Sequence, residues 1–279
     1  KPKIWYLLVF TAFAAAITAS NIYSVEISPV TWVLMLFGVA AGSAAANTLT
    51  NYHDRDIDAI MERTKNRPIP KGEVSLNFVL VNGVIFTLLG LVLSYFLLGW
   101  LTTLIIFLGF FFDFVVYSIW LKRKTKYSIL FGGIAGGLPA VAGRVLAIQK
   151  VDILSGLFLL FILTWIPVHI LTLALIPKNL KSYKEAGLPM WPVVSSKEET
   201  MRVIAYSALV NAVVIFIAAL ILEIYWVVLI LVGVCCSTLV IMVFMNLLKP
   251  TQKLTFTIFK FASAFMLLGF MLLYVGVVV

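Results

Sequence analysis

Between Asn47 and Gly72 the chain reads NTLTNYHDRDIDAIMERTKNRPIPKG, which sets Asp54, Asp56, Asp58 and Glu62 beside Arg55, Arg63, Lys65, Arg67 and Lys71. Asp54 and Asp58 are four residues apart, so on a helix they share one face about one turn apart. Thr50 extends that face as an i, i+4, i+8 stripe, and Asn47 and Asn51 flank it. Two carboxylates at this spacing suit one shared divalent cation. Oxygen ligands favour Mg²⁺, which commonly bridges to a substrate phosphate. Arg63, Arg67 and Lys71 then supply the donors that phosphate oxygens need. An acidic metal face joined to a basic phosphate face, in oily surroundings, points to chemistry on a lipid diphosphate. The plainer reading is a solvated, self-paired helix, since this carboxylate spacing alone is common. Its position at the end of an apolar run, with ERTKNRP directly after it, favours a site.

The elements that must position these residues are apolar helices. The sequence is 62% hydrophobic and 12% charged, with mean hydropathy +1.09; soluble domains carry about 25% charged residues. We read an all-α, polytopic protein of the lipid bilayer. Runs of about 20 apolar residues mark spans. They predict nine, at roughly 4–24, 30–50, 76–98, 100–120, 127–148, 152–177, 201–222, 224–247 and 255–279. The two closest pairs split at Gly99 and Glu223. The run from Ile4 to about Ala19 has no convincing cleavage site and leads into more spans, so it reads as the first span rather than a removable leader.

Lys1 and Lys3 precede the first span, five Lys/Arg follow the second, four follow the fourth, five lie after the sixth, and Lys249 and Lys253 follow the eighth. The opposite loops hold almost none, Lys150 being the main exception, with Arg144 near it. This asymmetry predicts a cell-membrane protein with its N-terminus and charged loops in the cytoplasm and its C-terminus outside. The net charge of +9 is then a topology signal, and no nucleic-acid partner is expected. The two long polar loops, about 51–75 and 178–200, follow the second and sixth spans, a spacing that resembles a weak internal duplication. One membrane domain over residues 1–279 is the economical reading.

Other residues admit two readings each. Lys122, Arg123 and Lys124, at the end of the fourth span, serve either as a topology anchor or as a cover over the diphosphate. Asp113 lies in an apolar run, and Tyr117 is one turn on. An intramembrane carboxylate faces a bundle interior or wet cavity, as a structural hydrogen bond or as a substrate contact. His169, in TWIPVHILTLAL beside the helix-kinking Pro167, is either a satisfied core residue or a contact to a substrate such as haem, whose iron neutral imidazole binds well. GGIAGGLPAVAGR, from Gly132 to Arg144, suits close helix packing or a thin wall beside a bulky substrate. Arg144 is expected toward the outer end, snorkelling. Cys235 and Cys236 are adjacent in an apolar run and read as small core or lipid-facing residues.

Together these segments resemble the UbiA superfamily of intramembrane prenyltransferases, and within it the haem O synthase (protohaem IX farnesyltransferase) branch. YHDRDIDAIMERTKNRPIPKG is similar to the DRDID…RT…RP signature, WLKRKTKYSILFGGIAGGLPAVAG to the WLKR…GG.AG..P…G stretch, WIPVHILTLAL to W..PH…AL, and SYKEAGLPMWPVV to DY..AG.P.LPVV. The likeness runs over about residues 1–200. It implies a nine-helix bundle with a central cavity open to the cytoplasmic side, Mg²⁺ on Asp54 and Asp58, and farnesyl diphosphate held by Arg63, Arg67 and Lys71, with Lys122 and Arg123. It also implies haem b as acceptor, with His169 touching it, and substrate contacts from Lys181, Ser182 and Tyr183 of the second loop. Three positions depart from the pattern. Thr50 stands where the first motif opens with Asn, Val168 interrupts the Pro-Pro-His segment, and Ser182 replaces an aspartate that would help bind a second metal. Another acceptor (a quinone-precursor aromatic or a glycerol-phosphate lipid) shares the first loop. A transporter would place charges inside spans, where few fall here, and a non-catalytic relative is the reading that Ser182 allows.

Overall fold

The computed structural model describes residues 2–279 and the side chains from Tyr6 onward. Lys1 and the side chain of Lys3, expected to precede the first span, lie outside the described residues. In hydrocarbon the backbone must satisfy its own polar groups, and each long apolar run folds as a helix. The order is α1 (Pro2–Tyr23), α2 (Pro29–His53), short α3 (Arg55–Ile60), α4 (Leu76–Leu98) and α5 (Trp100–Phe110). Then follow α6 (Ser128–Ile148), α7 (Ile153–Ala174), short α8 (Pro177–Glu185) and α9 (Trp191–Val194), α10 (Lys197–Ile221), α11 (Trp226–Leu248) and α12 (Gln252–Val278). Among the described residues nine helical segments are long and apolar enough to cross a membrane, in agreement with the expected number and places.

Polar caps fix the ends. Ser28, Ser75, Ser196 and Thr251 each accept a hydrogen bond from a backbone N–H of the first turn they precede. Asp152 and Ser155 form a reciprocal capping box at the start of α7. Gly99, at φ +86°, makes the abrupt turn between α4 and α5 that a residue with a Cβ would resist. Leucines, valines and phenylalanines on the outside of α4, Phe96 at 77% exposure among them, form a surface that only lipid would cover.

α6 and α7 lie at the centre. The small residues of α6 divide between two faces. Gly133 and Gly137 seat the helix against Leu163 and Leu159 of α7, and a Cβ on Gly143 would stand 2.1 Å from the Ala12 carbonyl oxygen of α1. Gly132, Ala135, Gly136 and Pro139 instead line the central cavity.

Two features differ from the expectations. Arg144 does not snorkel. It is fully buried, donates to both Asp152 carboxylate oxygens and to Thr18 Oγ1 (3.2 Å), and lies over the Phe158 ring. Its fork geometry finds a carboxylate eight residues on, which water-seeking would forgo. The fourth span also changes its winding. After α5 the chain continues as a π-helical segment, Phe111–Leu121, ending with Lys122 N–H donating to the Tyr117 carbonyl at 2.8 Å. Such windings are rare and gather at functional sites.

Candidate active site

The cavity has a volume of about 600 Å³ and is walled mostly by apolar side chains of α1, α2, α5, α6, α7 and α12. Its polar residues gather where α2 gives way to the first loop. α2 stops at His53, and Asp54 is both the end of α2 and the cap of α3. The helical spacing survives this break. The Asp54 N–H donates to the Thr50 carbonyl at 2.9 Å and the Asp58 N–H to the Asp54 carbonyl at 2.8 Å. Thr50, Asp54 and Asp58 therefore keep one face, all three are buried, and all three line the cavity.

Each carboxylate is met by a cation reached across a different stretch of chain. Lys122 Nζ donates to Asp54 Oδ2, and His53 Nδ1 lies 3.2 Å from Asp54 Oδ1. Arg67 Nη1 donates to Asp58 Oδ2 at 2.5 Å and to Asn51 Oδ1 at 3.2 Å. Thr64 braces the turn by donating to the Asp58 carbonyl at 3.0 Å. Arg63 also lines the cavity and takes no carboxylate among the described residues. The π-helical winding joins this assembly, because Ser118 Oγ lies 3.3 Å from Thr50 Oγ1 and donates to the Asp113 carbonyl at 2.9 Å. Asp113 and Tyr117 face the cavity, with Lys122 Nζ 5.7 Å from the Tyr117 ring centre.

The residues singled out from the sequence divide accordingly. Asn47, Thr50, Asp54, Asp58, Arg63, Arg67, Asp113, Tyr117, Lys122, His169 and Tyr183 all line the cavity. Asn51 touches it through Arg67. Ser182 is buried and is not among the residues that line the cavity. Arg123, Lys71 and Lys181 lie apart. Arg123 forks onto Asp56 with two bonds of 2.7 Å, Lys71 is 3.7 Å from Glu73, and Lys181 is 3.7 Å from Glu185, all on the surface. The Arg123 hydrogen bond holds the Asp56 carboxyl at about 2, well below its usual 3.8.

The sequence reading missed three groups. Trp165 and Ser263 share the cavity wall with His169. Phe259 stacks on its ring. At the outside of the second loop, Lys126, from the segment just before α6, donates through Nζ to Glu199 Oε1 at 2.7 Å and to Ser195 Oγ at 2.6 Å, while Trp191 Nε1 donates to the same glutamate oxygen at 3.0 Å. A serine or phenylalanine in an apolar run carries no local sign of such long-range contacts.

The donor set fits one hard divalent cation. Asp54 and Asp58 supply two buried carboxylates on one face, with hydroxyl and amide oxygens beside them. Among the described residues no group of three or more His, Cys, Asp or Glu side chains is placed to hold a metal.

The family profile described as the UbiA prenyltransferase family matches residues 7–269. The chain is similar to protoheme IX farnesyltransferase 2 of Cenarchaeum symbiosum, 41% identical, covering 99% of this chain and 93% of that one. Its fold is similar to that of digeranylgeranylglyceryl phosphate synthase, at TM-score 0.81 and 20% identity, covering 97% of this chain and 93% of the other. It is also similar to that of a UbiA homologue from Archaeoglobus fulgidus bound to GPP and Mg²⁺, at TM-score 0.69 and 16% identity, covering 97% and 98%.

Proposed function

We propose, from the premise that this chain belongs to the UbiA prenyltransferase family, that it moves a farnesyl group from farnesyl diphosphate to a vinyl group of protohaem IX, with Mg²⁺, giving haem O. The observation that carries this reading is one cavity with a carboxylate-and-cation mouth and an aromatic-flanked histidine in its wall. The protoheme IX farnesyltransferase name of the similar Cenarchaeum protein supports the acceptor. The GPP and Mg²⁺ of the Archaeoglobus structure support the donor class and the metal.

Asp54 and Asp58 would hold the cation. A bound Mg²⁺ supplies Lewis-acid withdrawal of charge from the diphosphate oxygens. The chain does the rest. When the diphosphate enters, its oxygens compete with the carboxylates for Lys122 and Arg67, and Arg63 is already available to them. The allylic C–O bond then breaks, and its electron pair leaves with the diphosphate, whose charge those three cations balance. The allylic cation is left in an apolar cavity, shielded by rings such as Phe110, Tyr117 and Trp165. The vinyl π pair forms the new carbon–carbon bond. Water adds to the resulting cation beside the macrocycle and loses a proton, giving the hydroxyl of the product.

We place the cavity mouth on the cytoplasmic face of the cell membrane, because the Lys/Arg-rich loops share its end of the bundle. The direct test incubates the protein in lipid with farnesyl diphosphate, reduced haem b and Mg²⁺, with products followed by mass. Farnesylated haem that requires Asp54 and Mg²⁺ is the expected result. Prenylation of a quinone-precursor aromatic or a glycerol-phosphate lipid, with haem untouched, would overturn the acceptor.

A further inference from the structure

His169 is clamped on three sides. The Trp165 ring lies over it at 4.6 Å between centres with 13° between planes, and the Phe259 ring at 4.8 Å and 26°. Both faces are therefore covered and the ring plane is fixed. One edge is taken as well, since Ser263 Oγ sits 3.2 Å from His169 Nδ1. The edge that remains carries Nε2. Among the described residues Nε2 has no hydrogen-bond partner, yet it is not sealed off. The fully buried side-chain polar atoms without partners are Thr102 Oγ1 and Asn211 Oδ1. His169, Trp165 and Ser263 all line the cavity, so the open edge faces it.

The proton can be placed by counting donors. A serine hydroxyl has one hydrogen. Ser263 Oγ also lies 2.8 Å from the Phe259 carbonyl oxygen, one turn back in α12, and that oxygen can only accept. With its hydrogen spent there, Ser263 meets His169 as an acceptor, and Nδ1 must carry the N–H. In the neutral ring Nε2 then holds a bare lone pair. We propose that Ser263 is a positioning residue: it fixes His169 as the Nδ1–H tautomer and so presents Nε2 to the cavity as a ready ligand for the iron of the macrocycle. The last clause rests on the haem-acceptor reading; the tautomer does not. A partner on one nitrogen that fixes the tautomer and orientation of the other is how metal-binding histidines are usually prepared.

The chain has two histidines, His53 and His169, so ¹⁵N-histidine labelling in nanodiscs gives two ring systems, separated by comparison with His169→Gln. The expected spectrum without haem shows His169 with Nδ1 protonated and Nε2 bare. Ser263→Ala should release it into a tautomer mixture, and Ser263→Thr, which keeps the hydroxyl, should restore it. A protonated Nε2 in the natural protein, or an unchanged spectrum in Ser263→Ala, overturns the tautomer assignment. Haem b is then titrated without farnesyl diphosphate and followed by its visible and electron-spin spectra. A nitrogen-ligand signature lost in His169→Ala, with affinity about tenfold weaker in Ser263→Ala, is expected. Identical haem spectra with and without His169 would overturn ligation while leaving the tautomer standing. The product assay decides the haem-acceptor reading separately.

Discussion

Two polar loops meet the same cavity, and they are built on opposite plans. The first, after α2, sends buried carboxylates inward and answers them with Lys122 and Arg67. The second, after α7, buries Ser182 and Tyr183 and sends its charges outward, where Lys126 ties Glu199, Ser195 and, through the glutamate, Trp191 into one cluster. Tyr183, Leu188 and Met190 of this loop line the cavity. The contrast separates two tasks. One loop gathers buried charge at the cavity, where the proposed metal and diphosphate would bind; the other gives the cavity a wall without charged side chains, held in place from outside.

The largest effect should come from removing the first loop's charge. Asp54→Ala takes away one of two carboxylates and leaves Lys122 without its partner. Turnover should fall about 10²–10³-fold, the cost of losing one preorganised electrostatic contact to the transition state. Ser182→Ala in the second loop should cost less than about threefold. Rates of the two variants, measured side by side at saturating Mg²⁺, decide the matter. Equal losses would mean that both loops carry the charge chemistry.

The comparison is sharpened by giving the second loop what it lacks. Ser182→Asp adds a carboxylate beside Tyr183, and with it a ligand for a second cation. At saturating Mg²⁺ diphosphate affinity should rise about tenfold, about 1.4 kcal/mol, through the second cation that the new carboxylate would hold. The Mg²⁺ saturation curve should change from one class of site to two. Natural protein already showing two classes in isothermal titration would end the one-metal reading.

A smaller effect is expected at the outer cluster. Lys126→Ala removes an exposed pair, and such pairs contribute about 0.2–1 kcal/mol. KM for the prenyl diphosphate should rise about two- to fivefold with kcat nearly kept, and proteolysis within residues 186–195 should quicken. Loss in kcat alone, with the loop still protected, would show that Lys126 acts on the chemistry rather than on the wall.

Much of this was legible in the sequence because its causes are local. Span number and position follow from apolar run length, and the turn at Gly99 from a residue free to take positive φ. The Thr50, Asp54 and Asp58 face follows from helical spacing, which the structure keeps through the break at His53. The remainder depends on contacts far apart in sequence. Nothing in FFDFVVYSIWL announces a π winding; it accompanies the packing of Tyr117 against Gly132 and the hydrogen bond between the Ser118 and Thr50 hydroxyls. Arg144 looked like a snorkelling residue because the carboxylate that buries it lies across a turn, in the cap of the next helix. Ser263 and Lys126 act through partners 94 and 73 residues away.

The smallest expected effect is also the most discriminating, because it compares neighbours. Lys122 points to Asp54 inside the cavity, while Arg123 points outward to Asp56. Sequence alone groups them as one basic cluster, either a topology anchor or a cover over the diphosphate. The structure gives Arg123 a different task, pinning α3 to the end of the π-helical segment through Asp56 and the His53 carbonyl. Arg123→Ala should therefore slow turnover by less than about fivefold, the scale of an exposed pair, whereas Lys122→Ala should approach the loss seen in Asp54→Ala. The pH dependence gives an independent check. Asp56 is held at about 2 against an ordinary 3.8, so its contribution is fully present above about pH 4 and is lost as pH falls through about 2. Acid unfolding of the natural protein and of Arg123→Ala should differ above about pH 4 and converge below about pH 2. If Arg123→Ala instead cuts turnover a hundredfold at neutral pH with stability unchanged, its guanidinium swings into the cavity when the diphosphate arrives, and the first loop recruits both neighbours.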